Sequence, residues 1–427
     1  MKYDLIIIGA GAAGLFAAAN APVGFKTLVL EKTDSPGNKL LLTGSGQCNL
    51  TNNESIKSFL DRYGKNGKRL RPVLFPFSNL ALISYFEERS VPLKVRDDGK
   101  IFPATMKSAD VLDLLLKLAR DRKVEMKFRT EVTELSILNE VKGGGFYVET
   151  PNELFVTKNV LVATGGESYP RTGSDGAFFT CLENLGLKLM LRQPALAPVF
   201  VNDYPYKNLA GLTFPNSSVM LTCKENNAVS PGGSHVVEGS LLFTHKGFSG
   251  PAVLEVSRYV TQGDELVINY MAGKTSDNLR RELLGAASGD PRQIITVLQN
   301  LTNMPRSFLE AVCVICDINR VEKASRLTGT QIREIAKKLT ADSFEISGVG
   351  GFNIAMVTSG GVCLDEINMH TMEAGQYPGL YFAGEVLDVD GDTGGYNLQF
   401  AFSSAKRCME AIQGDKPAQT SSAVDIL

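Results

Sequence analysis

No run of about 18 clean apolar residues occurs in this 427-residue chain, so no membrane-spanning helix is expected. The apolar N-terminus follows only Lys2, is interrupted by Asp4 and is broken by glycines at strand-and-turn spacing. That argues against a signal peptide and for a cytoplasmic location. Neither sign of charge is in excess: 44 Lys and Arg face 46 Asp and Glu, a net charge of −2. A basic footprint for nucleic acid is therefore not expected, and runs such as Lys65-Asn66-Gly67-Lys68-Arg69-Leu70-Arg71 read as solvated surface. Histidine is scarce, three residues far apart, and no second cysteine pair accompanies Cys313-Val314-Ile315-Cys316, so no metal site is expected. Seven scattered cysteines fit reduced thiols better than a disulfide framework. What remains is 44% apolar residues and 41 glycines, the profile of an α/β protein of two or three domains.

The chain opens on Tyr3-Asp4-Leu5-Ile6-Ile7-Ile8-Gly9-Ala10-Gly11-Ala12-Ala13-Gly14-Leu15, a short apolar strand, a G-x-G-x-x-G turn and an alanine-rich helix. Gly9 suits the tight turn, Gly11 lets backbone approach a diphosphate, and Gly14 lets the helix lie close to the strand. The helix N-terminus, with Ala12 and Ala13 in its first turn, presents free N–H groups and a positive dipole end to phosphate. A second strand, Thr27-Leu28-Val29-Leu30-Glu31, ends in a carboxylate about 20 residues after the first glycine, the spacing of a ribose-hydroxyl acceptor. Strand, turn, helix and terminal acid together predict a dinucleotide site, with Lys32 beside Glu31.

A polar, glycine-rich loop follows, Pro36-Gly37-Asn38-Lys39-Leu40-Leu41-Leu42-Thr43-Gly44-Ser45-Gly46-Gln47-Cys48-Asn49-Leu50-Thr51-Asn52. Its backbone donors suit a diphosphate and the ring beyond it. The pattern K-x-x-x-S/T-G-x-G-x-C-N-x-T-N resembles that of the BaiN/RdsA-type NAD(P)/FAD-dependent oxidoreductases, the YhiN-like flavoproteins. That family usually has Arg before Cys-Asn, where this chain has Gln47, so a role for that arginine does not carry over. Further segments are similar to the family's: Asp97-Asp98-Gly99-Lys100-Ile101-Phe102-Pro103 between two helices over 79 to 120, and Asn159-Val160-Leu161-Val162-Ala163-Thr164-Gly165-Gly166, a strand ending in A-T-G. So are Glu167-Ser168-Tyr169-Pro170-Arg171-Thr172-Gly173-Ser174-Asp175-Gly176, Phe243-Thr244-His245-Lys246-Gly247-Phe248-Ser249-Gly250-Pro251 and Ala355-Met356-Val357-Thr358-Ser359-Gly360-Gly361-Val362. The fullest match runs from Pro378-Gly379-Leu380-Tyr381-Phe382-Ala383-Gly384-Glu385 to Gly394-Gly395-Tyr396-Asn397-Leu398-Gln399. Its first half is the second FAD motif of the glutathione-reductase class, with Glu385 in place of Asp.

The resemblance implies FAD as cofactor and NAD(P)H as a transient reductant, there being no second G-x-G-x-x-G for a nicotinamide domain. With the motif residues above it implies cofactor contacts from Gly9, Gly11, Ala12, Ala13, Gly14, Glu31, Lys32, Lys39, Ser45, Gly46, Cys48, Asn49, Val132, Ala163, Thr164, Gly165, Gly384, Glu385, Gly394, Gly395, Tyr396, Asn397 and Leu398. Glu385 would accept from the ribityl chain, and the helix opened by Gly394 and Gly395 would face the flavin ring with its amides. Tyr169 and Arg171 are candidates to face substrate or nicotinamide, or else turn and cap residues. His245 is a candidate proton donor, or a structural hydrogen-bonder. Cys313 and Cys316 are either an exchanging dithiol or, with Leu309 and Val312, the buried stripe of an amphipathic helix.

The expected architecture is a Rossmann-like FAD-binding domain of glutathione-reductase type, built from 1–197 and 347–415. An antiparallel β module, 198–275, and a small helical module, 276–346, are inserted in it, and 416–427 forms a flexible tail. The expected activity is NAD(P)H-dependent hydride transfer through FAD to an unsaturated or carbonyl-bearing small molecule. A flavin oxidase using O₂ and a non-enzymatic flavin-binding sensor are the alternatives.

Overall fold

The computed structural model of the chain describes residues 2–138, 144–224 and 233–414. The turn expected at Lys142-Gly143 and the tail expected at 416–427 lie outside the described residues. Two compact units emerge: one from the N-terminus to Gln193 and from Val357 onward, the other from Pro194 to Met356.

The first unit is organised by a sheet whose central strands run parallel. β1 (Lys2–Ile8) leads through α1 (Ala12–Ala19) to β2 (Thr27–Leu30), and β1 pairs in parallel with β2 from Leu5↔Thr27 to Ile8↔Leu30. A strand at Glu125–Lys127, which follows α2 (Ser108–Asp121), extends this edge beside β2. On the other side lie β3 (Leu154–Val162), parallel to β1, and β4 (Leu380–Phe382), parallel to β3. Leu5, Ile6, Ile7, Leu28, Val29, Val160, Leu161 and Val162 are fully buried, as strands covered on both faces require. α1 and α3 (Tyr396–Ile412) cover one face, joined through Phe16 and Phe402, whose rings lie 4.9 Å apart. β3 is longer than the strand expected from Asn159, running unbroken from Leu154. Its polar residues are absorbed locally: Thr157 Oγ1 donates to the Asn159 carbonyl at 2.9 Å, and Asn159 Nδ2 to the Asp4 carbonyl at 3.0 Å. The patch expected to be irregular at 97–103 closes a hairpin, with Lys100–Pro103 pairing both Leu93–Val95 and Thr51–Asn52.

The second unit is a closed antiparallel barrel, formed among the described residues by Val199–Val201, Thr213–Thr222, Ser234–Phe243, Gly247–Ser249, Glu265–Asn269 and Asp342–Val349. Helices Pro251–Val256, Ser276–Ala287, Ile294–Thr302, Arg306–Ile315 and Gly329–Thr340 pack on it. The segments expected as two inserts, 198–275 and 276–346, share one core. Leu279, Leu298, Phe308, Leu309 and Ile335 join Leu221, Phe243 and Ile268 in it, and the closing strand Asp342–Val349 comes from beyond the helices. At the join, buried Asp342 accepts hydrogen bonds from Tyr206 Oη at 2.7 Å, Tyr270 Oη at 3.1 Å and Lys338 Nζ at 2.6 Å. Burial raises the pKa of Asp342, and burial first, then the Asp342 charge, raises both tyrosines.

Candidate functional site

The C-terminal ends of β1, β3 and β4 lie side by side, and the motifs at both ends of the chain meet there. In an open α/β sheet this is where ligands bind. The Ala163 N–H donates to the Ile8 carbonyl at 2.9 Å and the Ala383 N–H to the Val162 carbonyl at 3.0 Å. Gly9 leaves β1 with φ +101, and a Cβ there would lie 2.6 Å from the Ala163 carbonyl oxygen. At Gly14 a Cβ would lie 1.9 Å from the Gly9 carbonyl oxygen, so strand and helix are in backbone contact. Gly11 differs: it is extended (φ −79, ψ −168), and a Cβ on it would meet nothing within 4 Å. The protein leaves room over the first turn of α1 where a diphosphate would pass.

Glu31, at the end of β2, is 9% exposed. Its Oε2 accepts the Ala10 N–H at 2.7 Å, and Oε1 accepts the Thr33 N–H at 2.9 Å and the Thr33 hydroxyl at 2.8 Å. A carboxylate has about four acceptor positions, so Oε2 keeps one for a ribose hydroxyl. Lys32, next along, is ion-paired with Asp175.

Glu385 repeats this logic on the far side of the sheet. Its Oε1 accepts the Thr358 N–H at 2.7 Å and the Ser168 hydroxyl at 2.8 Å, while Oε2 accepts Lys39 Nζ at 2.7 Å. Lys39 also donates to Ser168 Oγ at 2.5 Å. The carboxylate is neutralised and pinned, with one acceptor position remaining. Ser168 and Thr358 carry no role in the sequence reading, although both lie inside its quoted motifs. Thr358 Oγ1 also accepts the N–H groups of Glu167 and Ser168, at 2.8 and 3.1 Å. Gly384, with φ +76, brings its segment against α1: a Cβ there would lie 3.0 Å from the Ala13 Cβ.

The loop before Cys48 turns through left-handed residues, Gly44 (φ +57), Ser45 (φ +57) and Gly46 (φ +85), with Cys48 at φ +60. Cys48 points its side chain into the core, where burial pushes the thiol up to about 12, so it offers a ligand only backbone. The Asn49 carboxamide, turned with its nitrogen to the Thr51 and Ile101 carbonyls, accepts the Gly395 N–H at 3.0 Å. That bond fixes the loop to the start of α3. Gly395 (φ +98) is forced by the same approach, since a Cβ would lie 2.6 Å from the Thr51 backbone. The first intrahelical bond of α3 runs from the Gln399 N–H to the Gly395 carbonyl at 3.0 Å. The amides of Tyr396, Asn397 and Leu398 therefore precede the helical ladder. The Asn397 side chain turns back to Gly391, accepting its N–H at 2.8 Å and donating to its carbonyl at 2.9 Å. The Tyr396 ring is buried and its carbonyl accepts Tyr63 Oη at 2.8 Å, so both residues face protein with their side chains. Val132 and Ala163 are buried, Thr164 is half-buried, and Gly165 has φ +76 with Ser174 Oγ 2.7 Å from where its Cβ would be.

Tyr169 adopts the left-handed region at φ +54, and its carbonyl accepts both the N–H and the hydroxyl of Thr172 at 2.8 Å, closing a tight turn. Arg171 is exposed in that turn. His245 belongs to the barrel unit, exposed between Ser234–Phe243 and Gly247–Ser249. Cys313 is buried and Cys316 half-buried at the end of Arg306–Ile315, and burial raises their thiols to about 12 and about 11. Thiolate is disfavoured at both, as packed side chains require. Among the described residues no group of three or more His, Cys, Asp or Glu is placed to hold a metal ion. No helix among them is long and apolar enough to cross a membrane.

The residues present fit FAD: an open diphosphate passage over Gly11, and two pinned carboxylates, Glu31 and Glu385, each with one acceptor position left.

Comparison with known proteins agrees with this reading. A "Ribosomal RNA dihydrouridine synthase" of Haemophilus influenzae is 30% identical over 95% of this chain and 98% of its own. A "3-dehydro-bile acid delta(4,6)-reductase" of Clostridium scindens is 28% identical over 93% and 96%. Among solved structures, the 3-ketosteroid-delta4-(5alpha)-dehydrogenase of Rhodococcus jostii RHA1 superposes with a TM-score of 0.52 at 15% identity, covering 96% of each chain. That likeness is one of fold. The model of the HI0933-like protein Rossmann domain matches residues 3–411, so the chain belongs to the HI0933-like family and carries its FAD-type Rossmann domain, the scaffold of a flavin-dependent oxidoreductase.

Proposed function

We propose that the protein is an FAD-dependent reductase that takes its electrons from NADH or NADPH and adds hydride to a carbon–carbon double bond conjugated to a carbonyl. The observation that carries this reading is the meeting of both half-sites at the ends of β1, β3 and β4, with Glu31 and Glu385 each holding one acceptor position open. The bond type is supported by the relatives' names. Making dihydrouridine saturates the C5–C6 bond of uracil, and a delta(4,6)-reductase acting on a 3-dehydro bile acid saturates alkenes in line with a ketone. In both the carbonyl accepts the electron pair displaced by hydride.

When bound, FAD supplies a two-electron carrier able to exchange hydride with a nicotinamide and with carbon. The chain supplies the rest. The first turns of α1 and α3 would present amides and positive dipole ends to the diphosphate and the ring of bound FAD. Lys39, ion-paired with Glu385, holds it in place as a hydroxyl acceptor. The addition consumes one proton, at the carbon next to the carbonyl. Tyr169 and His245 are the candidate donors, and pH–rate profiles of Tyr169→Phe and His245→Ala assign or remove each.

Anaerobic mixing of the FAD-loaded protein with NADH and with NADPH tests the reading. Rapid bleaching of the flavin by either one is expected, and failure of both removes the reductase assignment.

A further inference from the structure

The chain is close to neutral overall, but its charge is unevenly placed. Between Lys57 and Arg71 six basic residues stand against one acid, Asp61. Past a kink at Tyr63 and Gly64 the backbone runs as a 3₁₀ helix to Leu70 and turns directly into the helix Arg71–Leu74. With three residues per turn, side chains three apart stack in one column, and the three columns have three fates. Gly67 and Leu70 are buried. Asn66 and Arg69 are tied to neighbours, Asn66 Nδ2 donating to the Asp388 carbonyl at 2.7 Å and Arg69 pairing with Asp365 at 2.8 Å. The third column is a basic strip, Lys65, Lys68 and, as the next helix begins, Arg71, all exposed. Lys68 and Arg71 have no carboxylate partner among the described residues, and Arg71 lies over the Phe75 ring, 5.1 Å from its centroid. Lys65 comes no closer than 4.0 Å to Asp388.

The strip is held rigidly beside the candidate site. A Cβ on Gly67 would lie 1.6 Å from the Leu60 carbonyl oxygen, so the segment is folded back on itself at backbone contact. The Asp392 N–H donates to the Arg62 carbonyl at 2.9 Å, and Tyr63 Oη to the Tyr396 carbonyl at 2.8 Å. With Asn66 on Asp388, these bonds anchor the Lys65 end on the loop that leads into the first turn of α3. Lys68 and Arg71 follow at steps of roughly 6 Å, three residues at about 2 Å each.

Like charges held on one face destabilise the segment that carries them, and a ligand with several negative charges at similar spacing relieves that repulsion. A single carboxylate would satisfy one cation of the three. A lipid surface would require apolar side chains among them, and no large apolar side chain between Lys57 and Arg71 is exposed among the described residues. The reaction proposed above consumes a nicotinamide dinucleotide, and the one G-x-G-x-x-G turn in the sequence is already placed at the FAD diphosphate. Side chains therefore have to grip the reductant. NADH carries charge only on its diphosphate, whereas NADPH adds a phosphate monoester on the adenosine ribose, about −1.5 to −2 more at pH 7. Three cations in a row match the second ligand. We propose that this strip selects NADPH over NADH. Lys65, nearest the start of α3 where the ring of bound FAD would lie, meets the diphosphate; Lys68 and Arg71 meet the 2′-phosphate, Arg71 as a fork on two of its oxygens. The order from the site outward, Lys65, Lys68, Arg71, follows the order along the ligand from nicotinamide to diphosphate to 2′-phosphate. This inference rests on the reductase reading and names its electron donor.

The test uses the FAD-loaded protein and two readouts. Calorimetric binding of adenosine 2′,5′-bisphosphate, against adenosine 5′-monophosphate as the analogue without the 2′-phosphate, reports the phosphate site without turnover. Anaerobic stopped-flow over a series of NADPH and NADH concentrations gives the Kd and limiting rate of flavin bleaching for each. The triple variant K65Q/K68Q/R71Q is compared with a control, K117Q/R120Q/K123Q, which removes the same charge from the exposed side of α2 and the turn after it. The unsubstituted protein should bind the bisphosphate more tightly than the monophosphate, and NADPH more tightly than NADH, by about 10- to 150-fold, the worth of one charge-assisted bond to the 2′-phosphate. The strip variant should lose that preference, and the control should keep it. Lys68→Glu alone, with flavin content as the check on folding, should weaken NADPH more than about tenfold and leave NADH within a few-fold. The proposal is overturned if the unsubstituted protein binds the two nucleotides equally or prefers NADH, or if strip and control variants lose NADPH equally. Failure of the reductase reading looks different. Strip-dependent binding of the bisphosphate with no bleaching by either nucleotide sinks that reading alone, bleaching by both with no dependence on the strip sinks only this inference, and neither binding nor bleaching overturns both.

Discussion

Two glycines three residues apart should fail in opposite ways when given a methyl group. At Gly11 the backbone is extended, a conformation alanine adopts freely, and the new Cβ meets nothing within 4 Å. Apoprotein stability should change by less than about 1 kcal/mol, the scale of an N-cap Gly→Ala exchange. The methyl would occupy the diphosphate passage, and displacing the phosphates costs at least one charge-assisted hydrogen bond, about 1.5–3 kcal/mol. That corresponds to roughly 10- to 150-fold weaker FAD binding. At Gly14 the methyl would lie 1.9 Å from the Gly9 carbonyl oxygen. Helix and strand must separate, at an overpacking cost of about 1–3 kcal/mol or more with or without cofactor. Urea unfolding of the apoproteins and FAD titration by fluorescence separate the two quantities. Gly11→Ala with undiminished FAD affinity, or with a fold as damaged as that of Gly14→Ala, would refute the assignment of that space to the diphosphate.

Glu31→Gln places an amide N–H₂ against donors from Ala10 or Thr33, so FAD titration should show at least tenfold weaker binding and urea unfolding a modest loss of apoprotein stability. Undiminished affinity would remove Glu31 from the ribose site. Cys316→Ser should leave turnover nearly intact, because the half-buried thiol is held protonated; loss of activity would revive the dithiol reading. The barrel unit should lose stability as pH rises above about 10. Tyr206 and Tyr270 have folded pKa values raised above the unfolded value, so their contribution is full below that value and falls by about 1.4 kcal/mol per pH unit for each as the unfolded chain deprotonates. Denaturant midpoints between about pH 9 and 11 should fall less steeply in Tyr206→Phe, and an identical slope would discount the burial argument.

Much of the site could be read before the fold because its chemistry depends on backbone. Gly9, Gly14, Gly384 and Gly395 are required by positive φ or close approach, demands that mark the sequence directly. Side-chain networks leave no such mark. The sequence marks Lys39 and Glu385 as cofactor residues, yet nothing in it pairs residues 346 positions apart, or assigns Ser168 and Thr358 to hold them. The barrel was partly legible as short alternating strands. Its closing strand, Asp342–Val349, lies after the four helices between Ser276 and Thr340, and separating the two inserts follows from reading locally what is joined only by long-range pairing.

By itself the sequence determined a parallel nucleotide-binding sheet with its glycine turn and terminal acid, because strand periodicity, left-handed turns and helix starts are local properties of a few consecutive residues. Only the tertiary structure decided which carboxylates keep an acceptor position open, that Cys48 and Asn397 turn away, and that a basic strip lies beside the start of α3. Those outcomes depend on which distant groups fill each hydrogen-bonding position, and residue order does not encode that occupancy.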